Sequence, residues 1–289
     1  MITYGLSRSR LVTVLSSAMT FSPSIASILE QTEHRPFPLL PGPWVMEQTW
    51  RNLLFAHWRL DPAYLRPMIP PQIELETFDG SCWVSVTPFY MTGVRGRGLP
   101  PLPGLSRFAE LNVRTYVRFG DIAGVYFFSL DCSNLPAIAA ARMAYGLPYL
   151  YSRMSVEARD GRVNYICRRI DVDRFRPGYH GNASPDPELP PAEAVFRAQY
   201  WPTSPVFGSV PGSLEHFLSE RYCLYAVLRG RVYRAQIHHL KWPLQAAEAA
   251  IEENTMALAD GVRLPEDPPI LHFSRELRVL IWWPERADR

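Results

Sequence analysis

The sequence predicts an α+β protein built on a β-rich, mostly antiparallel sheet that closes into a cone or barrel, with helices on its flanks. Three observations carry this. Segments that alternate with a two-residue period, or run continuously through β-branched and aromatic residues, far outnumber segments with helical periodicity. Helical segments rarely sit between consecutive strands, as a doubly wound parallel sheet would require. Aromatic residues make up 12% of the chain and prolines number 28, a balance that favours strands and shaped loops over long helices. An apolar fraction of 47% over 289 residues is enough for a sizeable core.

The elements follow in order. Residues 1–32 are expected to be a poorly ordered extension, and 33–289 a single domain. "SRSRLVTVLSSAMTF" places Arg8 and Arg10 before a short apolar run, as export signals do. Serines interrupt the run and no good cleavage pattern follows, so it is read as an extension. "HRPFPLLPGPW" is a proline-stiffened lead-in. "WRNLLFAHWRL" is apolar on both faces, like a central strand. "DPAYLRPMIP" is a short helix with Asp61 at the N-cap and Pro62 in the first turn. "CWVSVTPFYM" and "ELNVRTYVRF" alternate as strands, and "GVYFFSLD" is the hairpin partner of the second. "LPAIAAARMAY" is a helix. "YSRMSVEA" and "VNYICRRIDV" are strands joined around a Gly-Arg turn. "GYHGNASPDPELPP" is a polar loop. "AVFRAQYW", "ERYCLYAVL" and "RVYRAQIHHLKW" are strands, with "GSLEHFL" as a helical turn. "PLQAAEAAIEENTMALA" predicts a helix, opened by Pro243, filled with alanine and closed before Gly261. "ELRVLIWWP" is the last strand.

Several function classes are excluded. Thirty basic and 28 acidic residues are interspersed, with a net charge of +2 and no basic stripe, so no nucleic-acid partner is expected. No apolar run reaches the ~18–20 residues that span a bilayer, so no membrane association is expected. Cys82, Cys132, Cys167 and Cys223 lie apart amid apolar residues, which suits buried thiols in a cytoplasmic protein. No P-loop, GxSxG, HExxH or GxGxxG pattern occurs, and neither a cofactor nor a metal is expected. His238 and His239 are adjacent on a strand and so face opposite ways. "GVRGRGLPPLPG" is read as a lip or crossover, because prolines follow where a phosphate site needs a helix start. Lys241 is the one lysine of the chain. Schiff-base chemistry needs an amine that can lose its proton, and arginine cannot supply it.

The most informative strand is "ELNVRTYV". Glu110, Asn112, Arg114 and Tyr116 share one face; Leu111, Val113, Thr115 and Val117 share the other. The strand alone admits two readings of the polar face: a solvent-washed surface, or the wall of an internal pocket. Further candidates are Arg59, at the end of an apolar strand, and Trp83, Ser85 and Thr87, on one face of theirs. The stretch "ARMAYGLPYLYSRM" reads as a helix stopped by a left-handed Gly146 and by Pro148, then a strand beginning near Tyr149.

The segments "WRNLLFAHWRLDPAYLRPMIPPQIELETFDG", "FAELNVRTYV", "GVYFFSLD", "ARMAYGLPY", "GSLEHFLSERYCLY" and "HHLKWPLQAA" together resemble the YqjF-like family, a domain of unknown function. The resemblance runs from about Arg35 to Trp283. That family is similar in turn to acetoacetate decarboxylase, which implies a cone-shaped β-barrel with an internal cavity. Carried over residue by residue, the resemblance puts Arg59 of "WRLD" at a pocket arginine and Glu110 of "FAELN" at a pocket glutamate. A second pocket carboxylate would fall near Ser85, a departure. The nucleophilic lysine and its lysine neighbour would fall at the elbow, where this chain has Tyr149 and Leu150. Lys241, between two histidines and Trp242-Pro243, is not placed to substitute. The expectation is a pocket for a small organic acid or carbonyl compound without covalent catalysis. Glu110 would transfer protons and Tyr149 donate to an oxygen, while Arg59, Asn112, Arg114, Ser85 and Trp83 bind. Hydration, dehydration, isomerisation and hydrolysis all fit, as does a non-catalytic binder or sensor. The assembly state stays open, a homo-oligomer included.

Overall fold

The computed structural model describes residues 23–170 and 192–288. The expected polar loop "GYHGNASPDPELPP" and residues 1–22 of the expected extension lie outside them. The described end of that extension is a docked element. Helix α1 (Ile25–Glu30), N-capped by Ser24, buries Ile28 against Trp44, Leu280 and Trp282.

The elements that follow are β1 (Met46–Leu60), α2 (Pro62–Leu65), a 3-10 turn (Arg66–Met68), β2 (Glu74–Leu75), β3 (Cys82–Gly96), β4 (Phe108–Phe119) and β5 (Ile122–Cys132). After them come α3 (Leu135–Tyr145), β6 (Tyr149–Arg159), β7 (Arg162–Arg169), β8 (Val195–Pro202), α4 (Leu214–Ser219), β9 (Cys223–Leu228) and β10 (Arg231–His238). The last are β11 (Gln245–Asn254), α5 (Met256–Ala259), β12 (Ile270–Ile281) and β13 (Glu285–Arg286). The strands form one mixed, mostly antiparallel sheet in the order β13-β10-β9-β5-β6-β7-β8-β11-β12-β1-β3-β4-β2. It curls back on itself, because β4 also pairs with β5 and β10 with β12. The parallel contacts are β5 with β6 and β5 with β9.

Strands β1, β3, β4 and β5 act as a partition with a different interior on each side. On one side Leu54, Val86, Leu111, Val113 and Phe128 meet Tyr165, Phe196, Tyr200 and Phe273 in a filled core. On the other, Leu53, Phe89, Phe108, Phe127 and Leu130 surround a hollow. The two-residue period of a strand sorts side chains between the two.

One element differs from expectation. The alanine-rich segment after Pro243 is strand β11, and only Met256–Ala259 at its end is helical. Ala247, Ala249 and Ile251 pack on the filled core at every second position, while Glu248, Glu252 and Glu253 face solvent. Pairing with β8 and β12 supplies backbone partners that outweigh alanine's helix preference of a few tenths of a kcal/mol per residue.

The elbow forms as the sequence predicts. Asn134 caps α3 by accepting from the Ala137 N–H at 3.1 Å. Gly146 closes the helix at φ +62°, and a Cβ there would strike Leu228 at 2.4 Å. Arg142 donates to the Tyr149 carbonyl at 2.7 Å, which locks helix to strand. Tyr149 then lies opposite Leu130 of β5.

Candidate functional site

The hollow is a cavity of about 510 Å³. Strand register orders its walls by depth. Across β3 and β4, Met91 faces Phe108, Phe89 faces Glu110, Thr87 faces Asn112, and Ser85 faces Arg114. Phe108 adjoins the 97–107 lip, so Glu110, Asn112 and Arg114 descend from the mouth in steps of roughly 7 Å. Glu110 is 2% exposed, Asn112 7% and Arg114 8%. The solvent-washed reading of this face is therefore ruled out. Leu111, Val113 and Val117, on the opposite face, join the filled core.

Glu110 accepts a hydrogen bond from the Tyr149 hydroxyl at 3.0 Å. Burial pushes the Glu110 carboxyl up to about 8, although hydrogen bonds from Tyr149 and Asn112 favour its charged form. It is therefore mainly protonated at neutral pH. Burial, and then the charge of Glu110, hold the Tyr149 phenol well above its ordinary value. Beneath this pair lies a floor of unanswered polar atoms. Arg114 Nε and Nη2, Asn112 Oδ1 and the indole N–H of Trp242 are buried with no hydrogen-bond partner. The Arg114 guanidinium lies 5.3 Å from the Phe55 ring centre, and Trp242 meets the same ring edge-on at 4.8 Å. Both residues thus border the Phe55 ring and line the cavity. Glu220 fixes Trp242 by accepting its backbone N–H at 3.1 Å.

Other polar side chains on the cavity are already satisfied or neutral. Arg221 is ion-paired with Glu76. His239 is held down to about 4 by burial and carries no charge near neutral pH. Arg221 and Trp242 escape the sequence reading as site residues, and His239 enters it only as half of an adjacent histidine pair. The signal available was an arginine or histidine bordering an otherwise apolar strand, as in "ERYCLY" and "QIHHL".

Not every expected residue reaches this cavity. Arg59 is exposed, donates to Ser81 Oγ at 2.5 Å, and lines a separate cleft with Trp83 and Asp79. β1 carries residues 53, 55, 57 and 59 on one face, and Arg59 lies at its far end beside the Phe78–Ser81 turn, beyond the Phe55 floor. Ser85 is fully buried on the same face as Thr87, 2.9 Å from its hydroxyl, and does not line the cavity. Lys241 is exposed and does not line the cavity. Among the described residues, no group of three His, Cys, Asp or Glu is placed to hold a metal, and no helix is long and apolar enough to cross a membrane. All four cysteines are buried and free.

Comparison with known proteins gives four findings. A family model, DUF2071, described as an uncharacterized conserved protein (COG2071), matches residues 47–278. The chain is 39% identical over 253 residues to the uncharacterized protein YqjF of Bacillus subtilis (strain 168), covering 88% of this chain and 97% of that one. Among solved structures it is similar to an acetoacetate decarboxylase-like enzyme from Sphingomonas wittichii RW1 (TM-score 0.54, 14% identity, 86% and 96% of the two chains). It is also similar to acetoacetate decarboxylase from Legionella pneumophila (TM-score 0.54, 13% identity, 92% and 98%). At these identities the structural likeness concerns the fold.

Proposed function

The chain belongs to the DUF2071 family of uncharacterized conserved proteins, and on that premise we propose that its cavity binds an organic acid bearing a second oxygen function, such as a ketone. The observation that carries this reading is Arg114, a guanidinium more than nine-tenths buried, with two nitrogens unsatisfied and no carboxylate partner among the described residues, on the wall that also holds a protonated carboxyl. A buried cation without a counter-charge is costly, and a ligand carboxylate relieves that cost with charge-assisted hydrogen bonds. Arg114 takes the anchoring role first assigned to Arg59, and Trp242 N–H adds a second donor. Glu110, one or two strand steps nearer the mouth, then faces the ligand's other oxygen. As an acid it hydrogen-bonds a carbonyl oxygen and protonates it as negative charge develops; after ionisation it takes a proton from the adjacent carbon. Tyr149 holds the carboxyl in place through its hydroxyl. With tyrosine at the elbow and Lys241 at the surface, the reading involves no imine, so turnover is non-covalent proton transfer.

The test is solvent exchange. Oxo acids incubated with the protein in deuterium oxide and followed by NMR should lose protons beside the ketone faster than in buffer. Glu110→Gln should abolish this while calorimetry still detects binding, and Arg114→Met should weaken binding at least tenfold. Binding without exchange in the native protein would favour a non-catalytic binder or sensor. Undiminished binding to Arg114→Met would remove the anchor and overturn the reading.

A further inference from the structure

The cavity's unanswered polar atoms lie at its base and along one wall; nearer the lip, Gln48 and Arg95 also line it, but Gln48 accepts from the Trp50 indole and Arg95 is ion-paired with Glu47. Above the Arg114 floor it is walled by Leu53, Phe89, Phe127, Leu130 and Leu147, and it opens between two apolar margins. One margin is the lip, where Leu99, Leu102 and Leu105 line the cavity and are 61%, 53% and 40% exposed. The other is α3, which turns Ala137, Ala140 and Ala144 toward the same opening. At its end Tyr145 stacks on Trp283 at 6.1 Å, and Trp283 is itself 60% exposed. Exposed leucines and a tryptophan continuous with an apolar channel are a cost in water unless something covers them. Four or five carbons would leave most of a 510 Å³ hollow, and the whole of its margin, without contact.

Resting on the reading above, we infer that the occupant is an amphipathic carboxylic acid. Its head lies on Arg114 and Trp242, its second oxygen beside Glu110 and Tyr149, and its hydrocarbon body rises past Phe127 and Leu147 to emerge between the lip and α3. The depth order on β4 sets the direction. The unpaired cation is at the closed end and the exposed apolar side chains are at the open end, so the acid enters head first. Phe108 to Arg114 spans about 20 Å of strand, room for a chain far longer than that of a short oxo acid. The alanines of α3 leave a smooth groove that larger side chains would block.

Calorimetry with the full chain and straight-chain acids from butanoate to dodecanoate tests this, with the matching primary alcohols as controls. Affinity should rise about fourfold per added methylene through the middle of the series, the increment for burying each in an apolar channel. Each acid should outbind its alcohol at least tenfold. Leu102→Asp and Ala140→Asp, both at exposed positions, should lower the ratio of dodecanoate to butanoate affinity at least fivefold. Acids that bind equally at every length would overturn this inference and leave the carboxylate site standing. Alcohols that bind as well as acids would overturn the head-group assignment, and with it the proposed function, while the apolar channel remained. Absence of binding by either series would overturn both.

Discussion

Two arginines, each buried inside the same curled sheet, meet opposite treatment. On the filled side Arg169 is enclosed by carboxylates. It donates twice to Asp131 at 2.8 Å, once to Asp260 at 2.7 Å and once to the Ser129 hydroxyl at 2.8 Å. Ser129 and Ser152 complete the set by donating to Asp260 and Asp131 at 2.5 and 2.7 Å. On the hollow side Arg114 has an aromatic face beneath it and two nitrogens with no partner. Folding requires compensation for a buried charge, and the first site provides it internally. The second leaves room for a partner from outside. The contrast separates a polar group that maintains architecture from one held ready for a ligand.

The largest effects should come from deleting each arginine in turn. Arg169→Met strands two buried carboxylates and should cost about 3–5 kcal/mol in urea denaturation. Arg114→Met removes a charge that no carboxylate among the described residues answers, and should leave stability unchanged or raise it. Equal losses at both would collapse the distinction. Next come the aromatics of the two interiors. Phe196→Ala, in the filled core, should cost about 3–5 kcal/mol, whereas Phe127→Ala, already bordering a void, should cost about 2 kcal/mol or less. The last effect is the most specific, because it is read as a slope against pH. Burial pushes the Glu110 carboxyl up to about 8 in the folded state, against an ordinary value of 4.5 when unfolded. Between those values the folded state holds a proton that the unfolded state has released. This group's contribution is therefore intact below about 4.5 and lost as pH rises toward 8, at up to about 1.4 kcal/mol per pH unit. Glu110→Gln should flatten that part of the stability–pH curve; an unchanged slope would mean that Glu110 is not the group responsible.

Much of this was legible in the chain because strand alternation is a local signal. The polar and apolar faces of "ELNVRTYV" could be separated without coordinates, and Gly146-Leu147-Pro148 marks its own elbow. What could not be read locally depended on which strands meet. Alanine and glutamate after Pro243 favour a helix when taken alone; the edges of β8 and β12 convert them to a strand. Arg59 was placed by its neighbours in "WRLD", but distance along β1 decides which chamber it reaches, and it falls past the floor. Trp242 carried no signal as a donor, since only the fold brings it beside Phe55 and Arg114 on the cavity.

The shared partition also constrains how this chain can change over time. Deleting one residue within β4 would turn Glu110, Asn112 and Arg114 into the packed side and drive leucine and valine into the hollow, inverting both chambers in one step. Gains and losses of residues should therefore accumulate in the 97–107 lip and be absent from 108–117, a pattern that sequences of related chains would display directly.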